Sequence, residues 1–324
     1  MKEKKGSIHF QIVKLFQESG IFTPGVSKHQ VKILAREKGI NNWKGLGEEY
    51  TIYSYGTADA YLSIWHQFGG FLRSNFSLSS VHDLDPSHVR AYLAEKIRQR
   101  VSYPTFQGQA AAIMKLQKAL NMDSYRVGLG TIYDFRPIVE ELLWLAKHHL
   151  EKNDVPRAYE DPWGLISSVN NESSRLAASL QYEGGTRVRE IALIKEIQLS
   201  GEIIDDLTGI KMGKIHLLHC KGGLQRNILV SAKNYELLGK TISANEGIFK
   251  INTEVYRRHL IEAAKDSYQA YHGTHGLRWN WAQKRFLVCR DHGFSMNEAL
   301  KKVSIEMGHR RSSITLHYLL ATPF

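Results

Sequence analysis

Through most of the first half of the chain, apolar residues recur at helical spacing. Ile8 to Glu18 and Lys28 to Lys38 follow it, with Ser27 placed to cap the second stretch. Thr57 through Leu72 sets Tyr61, Leu62, Ile64, Trp65, Phe68, Phe71 and Leu72 on one broad apolar face, which predicts a strongly amphipathic helix. Asp85-Pro86-Ser87 opens another helix through Val89, Tyr92, Leu93 and Ile97, and Pro104-Thr105 starts one that runs to Leu120. Residues 122–134 contain glycine and lose the periodicity, and Phe135 to Leu150 regains it. From Asn153 to Pro156 the chain turns polar, and a domain boundary is expected there. In the second half the period shortens. Ile215-His216-Leu217-Leu218-His219-Cys220 reads as a strand, Gly222-Gly223 as its turn and Asn227-Ile228-Leu229-Val230 as the return strand. The predicted class is mainly α with a small antiparallel β-sheet.

Charge adds a partner to this picture. The 43 Lys and Arg exceed the 32 Asp and Glu, for a net charge of +11. Residues 1–150 hold 19 basic and 13 acidic side chains and residues 151–324 hold 24 and 19, so the excess belongs to both halves. A basic surface shared by two domains suits contact with the phosphates of double-stranded DNA. No run of 18 apolar residues occurs, and Met1-Lys2-Glu3-Lys4-Lys5-Gly6 lacks an apolar signal core, so no membrane role and a cytoplasmic location are expected. Two cysteines, Cys220 and Cys289, fit a reducing compartment. His216 and His219 fall on opposite faces of their strand, and no metal-ligand spacing appears, so neither metal nor cofactor is expected.

The candidate chemistry lies near the C-terminus. His275-Gly276-Leu277-Arg278 opens an apolar-periodic helix, and residues three apart on a helix share a face. Met307-Gly308-His309 follows, then Ser312-Ser313 as a helix start and Tyr318 nine residues beyond His309. Taken singly, each residue has an ordinary reading: a packed tyrosine, a surface His–Arg pair, a solvated arginine. Their joint order points elsewhere. Arginine presents a planar, permanently charged fork of donors that matches a phosphodiester, and a tyrosine can attack one once its proton has an acceptor.

This run of motifs resembles the second signature box of the tyrosine recombinases, the class of the lambda-type phage integrases. The family's first box, Gly-x-Arg-x-x-Glu, is matched by Gly185-Thr186-Arg187-Val188-Arg189-Glu190. Arg187 and Glu190 share a helical face whereas Arg189 turns away, so Arg187 is the expected phosphate ligand. The family also has a lysine on a β-hairpin between the boxes, and Lys221 stands at the hairpin turn. The resemblance implies that Tyr318 is the nucleophile and that Arg187 and Arg278 hold the phosphate. It further implies Lys221 as general acid, His275 as base or proton shuttle and His309 as donor to a non-bridging oxygen. The product would be a 3′-phosphotyrosine and a free 5′-hydroxyl. It implies an added helical segment (1–50), a helical core DNA-binding domain with a linker helix (51–153) and an α+β catalytic domain (154–324). Lys96, Arg98, Arg100, Lys115 and Lys118 are the candidate DNA contacts of the helical domain. The expected activity is site-specific recombination by an integrase of a mobile element, acting as a homotetramer on two DNA sites with inverted repeats. Alternatives with the same fold are a type IB topoisomerase-like nicking-rejoining enzyme and an inert DNA-binding architectural protein. Trp279-Asn280-Trp281 departs from the family pattern, where a small residue is usual.

Overall fold

Helices begin in this chain where a short polar side chain can take up the first free amide. Ser7, Ser27, Asn42, Ser54, Asp85 and Ser102 each accept from the amide of the third residue of the helix they precede, and Asp85 from the second as well. The computed structural model describes residues 6–152, 155–218, 220, 224–309 and 311–319. The chain forms two compact units, Met1–Asn153 and Asp154–Phe324.

Among the described residues of the first unit the α-helices are α1 Ile8–Glu18, α2 Lys28–Glu37, α3 Trp43–Glu49, α4 Tyr55–Asn75, α5 Pro86–Arg98, α6 Tyr103–Arg126 and α7 Arg136–His149. Ile12, Trp65, Phe68, Leu93, Phe106, Ile113, Phe135 and Leu142 join five of these, α1 and α4 to α7, with the α6–α7 loop in one core. Helix α1 is therefore part of the core, and residue 50 is not a break in packing. What stands apart is the excursion 23–51. A parallel bridge of Phe22 with Ile52 closes its neck, and Ala35, Leu46 and Tyr50 give it a small apolar cluster of its own. Helix α6 continues six residues beyond the expected Leu120, because Asp123 and Ser124 are buried polar residues that break the apolar count without breaking the helix.

The second unit comprises α8 Pro162–Ser167, α9 Glu172–Gly184, α10 Val188–Ile191, β1 Leu193–Lys195, β2 Leu199–Ile204, β3 Lys211–Leu217, β4 Arg226–Ser231, α11 Ala232–Ala244, β5 Ile248–Lys250, α12 Thr253–Asp266, α13 His275–Asp291, α14 Met296–Glu306 and α15 Ser313–Tyr318. Strands β2, β3 and β4 form an antiparallel sheet in that order, and β1 pairs separately with β5. The anticipated hairpin is β3–β4, with Ile215 opposite Ile228. Its first strand ends at Leu217, and the expected turn residues Lys221, Gly222 and Gly223 lie outside the described residues. Helix α13 joins two apolar clusters. Leu277 packs with the sheet and α9, while Trp279 and Phe286 pack with α14 and α15. Among the described residues no helix is long and apolar enough to cross a membrane. The structure thus has the expected class, mainly helical with a small antiparallel sheet of three strands beside the two-stranded β1–β5 pair.

Candidate active site

Two helix ends place the first and last motif of the site. Helix α9 stops at Gly185, whose φ of +57° is left-handed and whose amide reaches back to Gln181. Two residues later Arg187 opens the short helix α10. Helix α14 stops in the same way. Gly308 has φ +74°, its amide donates to Ile305, and the His309 amide donates to Ser304. These paired bonds are the Schellman arrangement, in which a glycine takes the conformation that L side chains avoid. The Met-Gly-His motif is thus a helix terminator, and its histidine is aimed by the turn.

Around these turns the predicted residues converge. Arg278 is fully buried on the first turn of α13. Its guanidinium donates to the Gly185 carbonyl, to the Met307 carbonyl at 2.8 Å and to His309 Nε2 at 3.0 Å. Arg187 Nη2 lies 3.5 Å from the same His309 nitrogen. Arginine has only donors, so His309 Nε2 accepts and the ring proton sits on Nδ1. Tyr318, buried at the end of α15, has its hydroxyl 3.1 Å from His275 Nε2. The Arg278 guanidinium carbon lies 5.8 Å from the centre of the Tyr318 ring. Arg187, His275, Arg278, His309 and Tyr318 therefore share one site, while Lys221 lies outside the described residues.

Electrostatics settles the charge states. Burial, with Arg278, Arg187 and Arg157 nearby, pushes His275 down to about 4. Burial with Arg278, Arg187 and Arg226 does the same to His309. Both rings are neutral near pH 7, so the Tyr318 hydroxyl donates to an unprotonated His275. Burial, with Arg187 and Arg226 nearby, outweighs the opposing pull of Tyr318 and lowers Arg278 to about 10, which still leaves it charged. Burial works against ionisation of Glu190, but Arg226, the Arg187 amide and Arg278 outweigh it and hold the carboxyl at about 2. Glu190 binds Arg187 at 2.6 Å and Arg226 at 2.9 Å. Arg189 is exposed, as the choice between the two arginines required.

The aromatic departure from the family pattern belongs to the site. Trp279 packs against the Tyr318 ring, with centroids 5.4 Å apart. Asn280 exchanges two hydrogen bonds with the Tyr159 backbone, and Trp281 covers the face of Gly185. A further residue went unforeseen. Arg226, at the start of β4, is nearly buried and bonded to Glu190. The signal was present, since alternation along β4 puts position 226 on the same face as buried Ile228 and Val230.

The helical unit alters the expectations for its own basic residues. The ammonium of Lys115 donates to the Gly47 carbonyl at 2.8 Å and the Tyr50 carbonyl at 2.5 Å, and Lys118 donates to the Glu48 carbonyl. These two lysines fasten the end of α3 to α6, a different role from that of the expected phosphate ligands. Lys96 lies over the Tyr92 ring, Arg98 pairs with Glu95, and Arg100 is exposed.

No protein-family description matches the chain, and no curated protein matches it. The folded chain is nonetheless similar to several solved structures at low identity. One is a XerH site-specific recombinase bound to its difH substrate in a pre-cleavage complex. It is 14% identical, with a TM-score of 0.58 over 100% of this chain and 94% of that one. Another is a lambda integrase dimer bound to a COC′ core site, 17% identical, TM-score 0.54, covering 91% of this chain and 77% of that one. A third is the Tn1549 transposon integrase in complex with transposon right end DNA, 13% identical, TM-score 0.50, covering 90% and 94%. The chain has the tyrosine-recombinase fold.

Proposed function

We propose that the protein is a site-specific DNA recombinase, an integrase in type, that cleaves and rejoins strands through a 3′-phosphotyrosine. The observation that carries this reading is the 3.1 Å contact between the Tyr318 hydroxyl and a neutral His275, one helical turn from buried Arg278. The Tyr318 oxygen attacks the scissile phosphorus while its proton passes to His275 Nε2. Arg187 and Arg278 receive the charge that develops on the non-bridging oxygens, the term that usually weighs most in such a reaction. His309, turned by the end of α14, adds a donor from Nδ1–H. The bond to the 5′-oxygen breaks, and that oxygen takes a proton from Lys221. Attack by a 5′-hydroxyl of a second strand reverses the sequence and completes exchange without nucleotide.

Exchange between two sites implies four protomers. A lambda integrase tetramer bound to a Holliday junction, similar to this chain with TM-score 0.51 and 15% identity, is such an assembly for that protein. The test is to trap the covalent intermediate on a nicked suicide substrate taken from DNA around the protein's own gene. The adduct is expected on the peptide that contains Tyr318, and Tyr318→Phe is expected to abolish it while DNA affinity stays within a few fold. An adduct on Tyr271, or none with the parent protein, would overturn the reading.

A further inference from the structure

Arg226 makes more contacts than a strand arginine needs in order to be tolerated. Its Nη1 donates to the Glu306 carbonyl at 2.5 Å, and its Nη2 to the Gly185 carbonyl at 3.2 Å and to Glu190 Oε2 at 2.9 Å. Arg278 bonds the same Gly185 carbonyl and the next carbonyl along α14, that of Met307. The two arginines therefore run side by side between the end of α9 and the C-terminal end of α14, where free carbonyls favour a cation. A Cβ on Gly308, one residue before His309, would lie 3.2 Å from Arg226 Cδ, so the turn is seated on this side chain. Among the described residues, Glu190 is the carboxylate within ion-pair distance of all three arginines, at 2.6 Å from Arg187, 2.9 Å from Arg226 and 3.9 Å from Arg278.

That arrangement poses a problem which Arg226 answers. A buried carboxylate beside two phosphate-binding arginines would draw their charge away from the phosphate. We propose that Arg226 is a positioning residue for strand cleavage: it neutralises Glu190, so that Arg187 and Arg278 keep their charge for the scissile phosphate, and it braces the turn that presents His309. Arg226 does not itself touch the phosphate. The proposal rests on the strand-cleavage reading above.

A charge-compensation cycle tests it. Adduct formation under single-turnover conditions is compared for the parent, Arg226→Met, Glu190→Gln and the double variant, with DNA affinity and thermal unfolding measured alongside. Arg226→Met is expected to slow cleavage by about 100-fold with affinity changed by no more than about threefold. Removing Glu190 as well is expected to return at least about tenfold of that loss, because the two changes share one interaction. A purely structural arginine would give a double variant as slow as Arg226→Met or slower, and that result overturns the proposal, as does a parent-like Arg226→Met. If Arg226→Met does not fold, Arg226→Lys decides. It keeps the charge and is expected to cleave within about tenfold of the parent, whereas any larger loss refutes the charge role. If the parent forms no adduct, strand cleavage fails independently, and the charge relation is read from the His309 ring by NMR titration. Its pKa, held at about 4, should rise in Arg226→Met and move back in the double variant. No movement in either variant overturns the inference.

Discussion

At the scale of the residue, the site works by holding two histidines neutral among arginines. His275 at about 4 stays neutral beside the Tyr318 hydroxyl throughout the physiological range, the state in which the proposed mechanism has it take the Tyr318 proton. The kcat/KM for cleavage should therefore have its His275 acid limb near pH 4, well below the ordinary histidine value of about 6.5. A limb near 6.5 that disappears in His275→Gln would contradict this. The same shifts bear on stability. The unfolded histidines take up protons near pH 6.5 and the folded ones only near 4, so the contribution is whole above 6.5 and is lost as pH falls towards 4. Thermal unfolding followed from pH 7 to 4 should show the midpoint fall, and His275→Gln should flatten that fall. The arginines separate more sharply. Arg187→Ala should lower cleavage by about 100-fold or more, while exposed Arg189→Ala should change it little, as adduct yields will reveal.

At the scale of the element, the decisive features are the ends of α9 and α14. Gly185→Ala would put a Cβ 2.4 Å from the Trp281 ring at a left-handed φ, so either the indole or the turn must move. The combined strain and overpacking should destabilise the protein by about 2–4 kcal/mol in denaturant unfolding. Because Arg226 and Arg278 both bond the Gly185 carbonyl, cleavage should fall further than the folded fraction does. A variant with parent stability would show that the turn is not held by this contact. Some helix starts were legible from their caps, as at Ser27 and Asp85, whereas the ends of α9 and α14 at Gly185 and Gly308 emerged only from the folded backbone. The end of α6 was not legible either, since Asp123 and Ser124 look like loop residues until their partners Arg126 and the Thr131 carbonyl are known.

At the scale of the molecule, the basic excess is spread over both units. Affinity for DNA should drop steeply and log-linearly with salt, through counterion release, and cleavage should persist in EDTA because arginines supply the positive charge. A flat salt response, or activity lost to EDTA and restored by magnesium, would count against the proposed mechanism. Charge alone was a poor guide to which cations face a partner. Lys115 and Lys118 share an α6 face that reads as solvated, yet they are bound by carbonyls of the 23–51 excursion, which periodicity within α6 does not reveal.

The sequence by itself determined which residues carry the candidate chemistry, because that information is local: a Gly-x-Arg-x-x-Glu run, a histidine and an arginine three apart, a tyrosine nine residues beyond a Met-Gly-His run. It also determined most helices of the first unit, α13 and α15, and the β3–β4 pairing, through periodicity and capping. Only the tertiary structure decided that Arg226 belongs with Glu190, that Trp279 and Trp281 wall Tyr318 and Gly185, and that both histidines are neutral. Those facts depend on burial and on charges brought together from segments far apart in the chain. Desolvation and Coulomb interactions act through space, and one strand of text records neither.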